Sequence, residues 1–135
     1  MSPNFDLYDT NSRLMTRPWG KQILKFISKG DYHYWNITNA YVNQYWNTKK
    51  RIEGLIALRN LLDQTMTDSI FRQIDTPYYI AYYFKDEDEK DEVISIDAIK
   101  KFEQLSATPS GKKWVQSYAD AHSHVIGCAC LNPNW

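Results

Sequence analysis

The chain has 135 residues, of which 43% are hydrophobic and 15% aromatic, and its formal net charge is zero. A chain of this length and apolar content can bury a core, which excludes an intrinsically disordered protein and indicates one folded domain. No segment reaches the ~20 apolar residues that cross a bilayer, and the first residues lack the basic and then apolar pattern of a signal peptide. We therefore expect an intracellular protein.

The charges are divided unevenly along the chain. Residues 1–60 contain nine Lys or Arg and four Asp or Glu, residues 61–105 contain five and eleven, and the last thirty contain two and one. A basic first half joined to an acidic middle suits an anionic partner or head-to-tail contact between copies. Zero net charge therefore does not exclude a nucleic-acid partner.

The first elements are an arm and a helix. Residues 1–15 show no helical period and predict an extended N-terminal arm. Thr16 as N-cap, Pro18 in the first turn and Gly30 as terminator predict a helix over about 17–29. Its apolar residues share one face, its lysines fall away from that face, and most of the aromatic rings of the chain are expected to lie in the core.

The middle of the chain is also interpreted as helical. Asp31 can cap a helix, and apolar residues follow at helical spacing over 32–65, with a break at Asn47 and Thr48. Thr67 starts a further short piece. Thr76 and Pro77 give the segment 76–84 a helical start, although its tyrosines are typical of a strand, and we interpret this segment as a helix.

The last third begins with the charged run 85–92, which predicts a solvated loop whose carboxyl groups keep ordinary pKa values. Ser95 is expected to cap a helix that turns Ile96, Ile99, Phe102 and Leu105 inward. After a turn, the spacing of Trp114, Val115, Tyr118 and His122 predicts a last helix that ends before Gly127. Residues 128–135 form a short non-helical tail.

These elements predict an all-α fold. The expected architecture is a helical bundle of four main helices, with an N-terminal arm over 1–15 and a single domain over 16–135. Four to six helices joined by short connections imply such a bundle.

Positive side chains are the strongest functional signal. Several recur every four residues along the first helix, and others cluster before the second half and at the start of the last helix, where backbone amides favour anions. Aromatic residues are interleaved with them. The predicted nucleic-acid-binding residues are Arg13, Arg17, Lys21, Lys25, Lys29, Lys49, Lys50, Arg51, Lys112 and Lys113.

The weaker chemical signal is a cluster of metal-ligand types near the end of the chain. His122, His124, Cys128 and Cys130 fall within nine residues, but structural zinc sites space paired cysteines by two to four residues. On a helix the two histidines would point about 200° apart. A helix end with one inward and one exposed histidine is the simpler interpretation, and these four residues are at most weak candidates for a metal.

Catalytic motifs are missing from the sequence. Five glycines include no phosphate-binding loop, no nucleophile elbow and no dinucleotide fingerprint. Three histidines leave few options for a nucleophile beside a base. We therefore expect neither an enzyme nor a cofactor nor a small-molecule substrate.

The layout of the chain resembles the major coat proteins of filamentous and rod-shaped viruses of hyperthermophilic archaea. The resemblance rests on the helix entry Thr16–Lys21, the bundle that follows and the opening of the last helix at Gly111–Lys113. It implies a four-helix bundle that pairs with a second copy or a sister coat subunit and wraps double-stranded DNA through phosphate contacts that read no bases. It also implies localisation in the virion, and in the host cytoplasm before assembly.

A second hypothesis fits the features that the coat resemblance leaves out. Zero net charge and the acidic run 86–92 depart from a DNA-coating subunit. They favour a small helical interaction or inhibitor protein, such as a viral regulator, that acts through its acidic loop and aromatic surface. Both hypotheses describe a binding protein.

Overall fold

The computed structural model describes residues 3–35, 44, 47–122 and 124–126. The chain divides into two compact units, residues 10–64 and residues 1–9 with 65–135. By sequence, the first has nine Lys or Arg and three Asp or Glu, a net charge of +6, and the second has seven and thirteen, a net charge of −6. We call them the basic unit and the acidic unit. The single domain over 16–135 stays a prediction.

The all-α prediction is wrong, because the described residues contain strands as well as helices. In chain order the elements are a 3₁₀ helix Thr10–Thr16, α1 Gly20–Ile27, β1 Tyr32–Tyr34, β2 Lys49–Arg51, α2 Ile52–Thr65, α3 Asp68–Phe71, β3 Tyr78–Tyr83, α4 Ile96–Leu105, a 3₁₀ helix Ser110–Lys112, β4 Lys113–Tyr118 and a 3₁₀ helix Ala119–Ala121. β1 pairs with β2 antiparallel, and β3 pairs with β4 parallel. The predicted tail over 128–135, and the predicted helix over 36–43 and 45–46, lie outside the described residues.

The predicted helix over 32–65 agrees with the structure in α2 and is wrong for β1 and β2. In the antiparallel pair, Tyr32 lies opposite Arg51 and Tyr34 lies opposite Lys49. Tyrosine favours the extended backbone, and its cross-strand partners supply the packing. Tyr34 fits a helical stripe by spacing, but periodicity along one segment does not reveal a partner strand.

Two more predicted helices are strands. The segment 76–84 contains β3, and the predicted last helix before Gly127 contains β4 and a short 3₁₀ helix. The two strands run parallel, with Tyr79 opposite Trp114. Parallel strands need a crossover connection, and here it contains α4, so the three elements form a β-α-β unit. The aromatic and β-branched composition of both strands outweighs the helical start signal at Thr76.

The acidic unit has an aromatic core that includes the N-terminal residues. The buried cluster consists of Phe71, Ile80, Ile94, Ile99 and Phe102. Phe5 stacks on Phe102 with ring centroids 4.4 Å apart, and Leu7 pairs with Ile94 in an isolated antiparallel bridge. The predicted extended arm over 1–15 is therefore wrong, since its first part belongs to a core and its second part is a 3₁₀ helix.

Helix α4 begins and packs as the sequence predicts. The Oγ of Ser95 accepts a hydrogen bond from the N–H of Ala98 at 3.2 Å, which is the N-cap geometry. Ile96, Ile99 and Phe102 are buried. The Ser95-capped helix with these three residues inward is confirmed.

Helix α1 lies within the predicted range 17–29 but begins differently. Thr16 does not cap it, because its Oγ1 donates to the carbonyl of Arg13 at 3.2 Å. Instead Trp19 adopts a left-handed backbone with φ 68°, and Gly20 follows in close contact with the preceding 3₁₀ helix. A Cβ on Gly20 would lie 2.3 Å from the carbonyl oxygen of Leu14, so only glycine allows this approach.

Candidate interaction surfaces

The apolar side of α1 faces outward. Its residues recur at helical spacing and form one face of the helix. The exposed fractions are 73% for Trp19, 55% for Ile23, 85% for Phe26 and 68% for Ile27. We call these four residues the α1 apolar face.

The lysines of α1 hold the helix to the basic unit. The Nζ of Lys21 lies 3.1 Å from Oε1 of Glu53, in the first turn of α2. The Nζ of Lys25 lies 3.3 Å from the same oxygen and 2.6 Å from Oδ1 of Asp31. The polar side of the helix is thus the side fixed to its own unit. This arrangement reverses the usual one, in which the apolar side is buried and the lysines face water.

The electrostatics agree with this geometry. A hydrogen bond from its own backbone N–H and those from Lys21 and Lys25 lower the pKa of Glu53 from 4.5 to about 2. The hydrogen bonds to Asp31 and Glu53 raise the pKa of Lys25 above its ordinary value. Glu53 and Lys25 are therefore charged at neutral pH. Two of the predicted DNA-binding lysines, Lys21 and Lys25, are engaged by acids.

The other predicted cations near α1 do not continue its lysines as one stripe. Arg13 is exposed in the 3₁₀ helix, Arg17 is exposed in the turn before α1, and Lys29 is exposed after α1 in a left-handed backbone with φ 54°. The Nε of Arg51 lies 3.6 Å from Oε2 of Glu53. A stripe of positive side chains aimed at one phosphate backbone is therefore not what the geometry favours.

Lys112 and Lys113 belong to the other unit. Lys112 is exposed in a 3₁₀ helix, so the predicted helix N-terminus at this point is wrong. The Nζ of Lys113 donates to the carbonyl of Glu103 at 2.8 Å. Neither residue lies in the unit that contains the other eight predicted cations.

The β1–β2 ribbon combines rings and positive charges on both of its faces. On one face Lys49 Nζ lies 4.0 Å from the ring centroid of Tyr32 and 5.7 Å from that of Tyr34. On the other face His33 meets Trp35 edge-on, with centroids 4.8 Å apart. Tyr34 is 62% exposed and Trp35 is 42% exposed. These contacts place aromatic surface and cations side by side at the ribbon surface.

The predicted solvated loop contains one buried carboxylate. The side chain of Asp91 is fully buried, and its Oδ1 accepts hydrogen bonds from the N–H groups of Val93 and Ile94 at 2.8 and 3.2 Å. Its Oδ2 lies 2.8 Å from Nδ1 of His124. Burial alone would raise the pKa of Asp91, but the hydrogen bonds from His124 and the backbone outweigh it and lower the pKa below 3.8. The prediction of ordinary pKa values throughout this run is wrong.

The two histidines among the weak metal candidates have different surroundings. His124 is half-buried beside Asp91, and His122 is exposed, with a left-handed backbone of φ 49° and its ring 6.0 Å from that of Tyr83. The helix end expected for these histidines is absent, because a 3₁₀ helix precedes His122. Cys128 and Cys130 lie outside the described residues. Among the residues that are described, no group of three or more His, Cys, Asp or Glu could hold a metal ion.

Ion pairs within the rest of the acidic loop neutralise part of its negative charge. Lys85 Nζ lies 2.6 Å from Oε2 of Glu89, and Lys90 Nζ lies 2.7 Å from Oε2 of Glu87. The hydrogen bond from Lys90 lowers the pKa of Glu87 below its ordinary value. A partner that binds this loop must compete with these ion pairs, which weakens the inhibitor hypothesis.

The β3–β4 pair presents aromatic residues on its outer face. Tyr79 and Trp114 are register partners, and each is 55% exposed. The hydroxyl groups of Tyr79 and Tyr118 share a hydrogen bond, which raises the pKa of Tyr79 above its ordinary value. We call Tyr79, Trp114 and Tyr118 the sheet aromatic face. A helical interpretation of both segments does not predict this surface, because only paired strands place Tyr79 opposite Trp114.

No protein-family model, curated protein or solved structure matches this chain. Over the described residues, none of the helices has both the length and the apolar content to cross a membrane.

Proposed function

We propose that this protein is a structural assembly protein, whose copies join through the α1 apolar face. The proposal keeps the assembly part of the coat hypothesis and gives the chain no catalytic role. The duplex-DNA part stays a prediction with less support, since acids engage Lys21, Lys25 and Arg51.

The outward direction of the α1 apolar face is the observation that supports this proposal. Two large rings, Trp19 and Phe26, are 73% and 85% exposed and together present roughly 300 Å² of aromatic surface to solvent. Exposed apolar patches of a few hundred Å² are often functional, and aromatic residues dominate the binding energy of protein interfaces. The ion pairs to Glu53 hold the helix in this orientation before any partner arrives.

Charge complementarity favours a second copy in a head-to-tail arrangement. Pairing of two α1 apolar faces would bring two basic units together, each with a net charge of +6. Contact of the basic unit of one copy with the acidic unit of the next brings +6 against −6. Such a heterologous contact repeats and produces a ring or a filament. The sheet aromatic face is the exposed aromatic surface that the acidic unit offers to the incoming α1 apolar face.

Sedimentation of the full chain over a range of concentrations tests the assembly. We expect the wild-type protein to associate and Ile23→Gln to reduce association at least tenfold. Leu61→Gln on α2 is the matched control, because Leu61 is also 55% exposed and lies in the same unit. Moderate salt should weaken association by screening the charges.

Mixing two blocked variants tests the head-to-tail arrangement. Ile23→Gln blocks the α1 apolar face, and Trp114→Ser blocks the sheet aromatic face, so each variant alone should stay monomeric. Their mixture retains one intact contact and should form a dimer and nothing larger. A wild-type chain that stays monomeric, or that binds lipid vesicles through α1 instead, contradicts the proposal.

A further inference from the structure

The β1–β2 ribbon has the residue types and the layout of a nucleic-acid platform. Tyr32 and Tyr34 share one face with Lys49 and Arg51, because residues that are paired in register project to the same side of a ribbon. Exposed rings beside cations bind a nucleic-acid strand by stacking on its bases and pairing with its phosphates. The ribbon residues are not part of the α1 apolar face, so the role of the ribbon does not depend on the assembly proposed above.

The nearby acids do not oppose an incoming phosphate. Glu53 is shared by Lys21 and Lys25, and Asp31 is paired with Lys25. Their negative charges are therefore compensated within the basic unit, which has a net charge of +6. A phosphate near Lys49 enters a positive field.

The exposed rings favour a single strand over a duplex. Base pairs in a duplex hide the flat faces of the bases within the stack, whereas unpaired bases can stack on aromatic side chains. Tyr34 projects far enough to offer its ring, since it is 62% exposed. Phosphate contacts alone would serve a duplex equally well and would leave these rings unused.

We propose that the β1–β2 ribbon binds single-stranded nucleic acid on the face that carries Tyr34 and Lys49, with a base stacked on Tyr34 and a phosphate at Lys49. Stacking makes this binding tolerant of sequence, because every base has an aromatic face. RNA and DNA single strands offer the same chemistry to the ribbon. A preference between them would come from the sugar 2′-hydroxyl.

Fluorescence anisotropy with labelled oligothymidylate and oligouridylate of about 12 nucleotides tests the proposal, with a duplex of equal length for comparison. We expect the full chain to bind at least one of the single strands more tightly than the duplex. Tyr34→Ala should weaken binding roughly tenfold, and Tyr34→Phe should retain it. Tyr8→Ala is the matched control, because Tyr8 is 48% exposed in the acidic unit and should have no effect.

The salt dependence tests the phosphate contacts separately. Lys49→Gln should make the slope of log affinity against log salt shallower by the contribution of about one phosphate contact. Lys112→Gln should leave the slope unchanged. Circular dichroism verifies that each variant is folded, and sedimentation verifies that Tyr34→Ala still assembles. Equal affinity for duplex and single strands, no change with Tyr34→Ala, or no binding at all would overturn the proposal.

Discussion

In the acidic unit, α4 turns Phe102 into an aromatic core, whereas in the basic unit α1 turns Phe26 out to solvent. Both helices are amphipathic, and sequence periodicity treats them alike. They differ in what the polar side meets. The lysines of α1 meet Glu53 and Asp31 and are held inward. An amphipathic pattern therefore shows that a helix has an apolar face, and the partners of its charged side decide where that face points.

Truncation of one phenylalanine in each unit should separate stability from assembly. Phe102 is 4% exposed and packs against Phe5 and Phe71, so Phe102→Ala should lower the free energy of unfolding by about 3–5 kcal/mol. Phe26→Ala should change it by less than about 0.5 kcal/mol and abolish self-association. Chemical denaturation and sedimentation of both variants measure the two effects. A large stability loss from Phe26→Ala would show that this ring is part of a core.

The buried carboxylate of the acidic unit should have the next largest effect. Asp91→Asn retains an oxygen for the backbone hydrogen bonds but loses the carboxylate beside His124, at a cost of about 1–3 kcal/mol. Asp86→Asn is the matched control, because Asp86 makes the same type of loop hydrogen bonds while exposed. Chemical denaturation at neutral pH measures both, and equal costs would contradict a special role for Asp91.

The stability that the Asp91–His124 hydrogen bond contributes should depend on pH in a defined direction. The folded pKa of Asp91 lies below 3.8, so its contribution to stability is present above pH 3.8 and is lost as the pH falls through the folded value. An ionised carboxylate can only accept, so Nδ1 of His124 donates to it. The wild-type protein should lose more stability than Asp91→Asn when both are titrated through this acidic range.

The sequence predicts local features better than pairings between distant segments. Ser95 identifies the start of α4, because a cap depends only on residues three positions away. β3 and β4 pair across a connection that contains α4, and no local signal in either strand reveals its partner. Tyrosine-rich composition was the available indication that 78–83 is a strand, and it conflicted with the proline before it.

The candidate surfaces show the same limit. Spacing groups the four residues of the α1 apolar face correctly, but their exposure depends on Glu53, which lies in another helix. The ribbon contacts of Lys49 depend on strand pairing. The burial of Asp91 within a charged run depends on His124, more than thirty positions along the chain. Side-chain contacts of this kind depend on the fold, and no local motif predicts them.

The N-cap of α4 should contribute about 1 kcal/mol to the free energy of unfolding. Ser95→Ala removes the side-chain oxygen that accepts from Ala98 and should lower the free energy of unfolding by that amount. Thr67→Ala at the start of α3 should cost less, because its hydrogen bond to the Ile70 N–H is longer, at 3.4 Å. Chemical denaturation compares them, and a larger cost at Thr67 would contradict the ranking.

At the start of α1, which lacks a side-chain cap, a substitution should raise the stability of the protein instead of lowering it. Trp19 has a left-handed backbone, a conformation that costs a residue other than glycine about 1–2 kcal/mol. Trp19→Gly relieves this strain but gains freedom in the unfolded chain, so it should stabilise the protein by about 0.5 kcal/mol. It should also weaken self-association by removing a ring of the α1 apolar face. Lys29→Gly, at φ 54°, should give similar stabilisation with association intact.

The ion pairs that orient α1 should have the smallest effect on stability and a clear effect on assembly. Glu53 is partly exposed, and surface ion pairs contribute little to the free energy of unfolding. With a folded pKa of about 2 and an ordinary value of 4.5, its contribution is present above pH 4.5 and is lost as the pH falls toward 2.

Glu53→Gln releases Lys21 and Lys25, so α1 is no longer held with its apolar face outward. Association should therefore weaken at neutral pH while the melting temperature barely changes. Asp63→Asn is a poor control because Asp63 pairs with the buried Arg59, whereas Glu92→Gln, at an exposed position of the acidic unit, changes the same formal charge. If Glu53→Gln and Glu92→Gln weaken association equally, net charge and not the orientation of α1 controls the assembly.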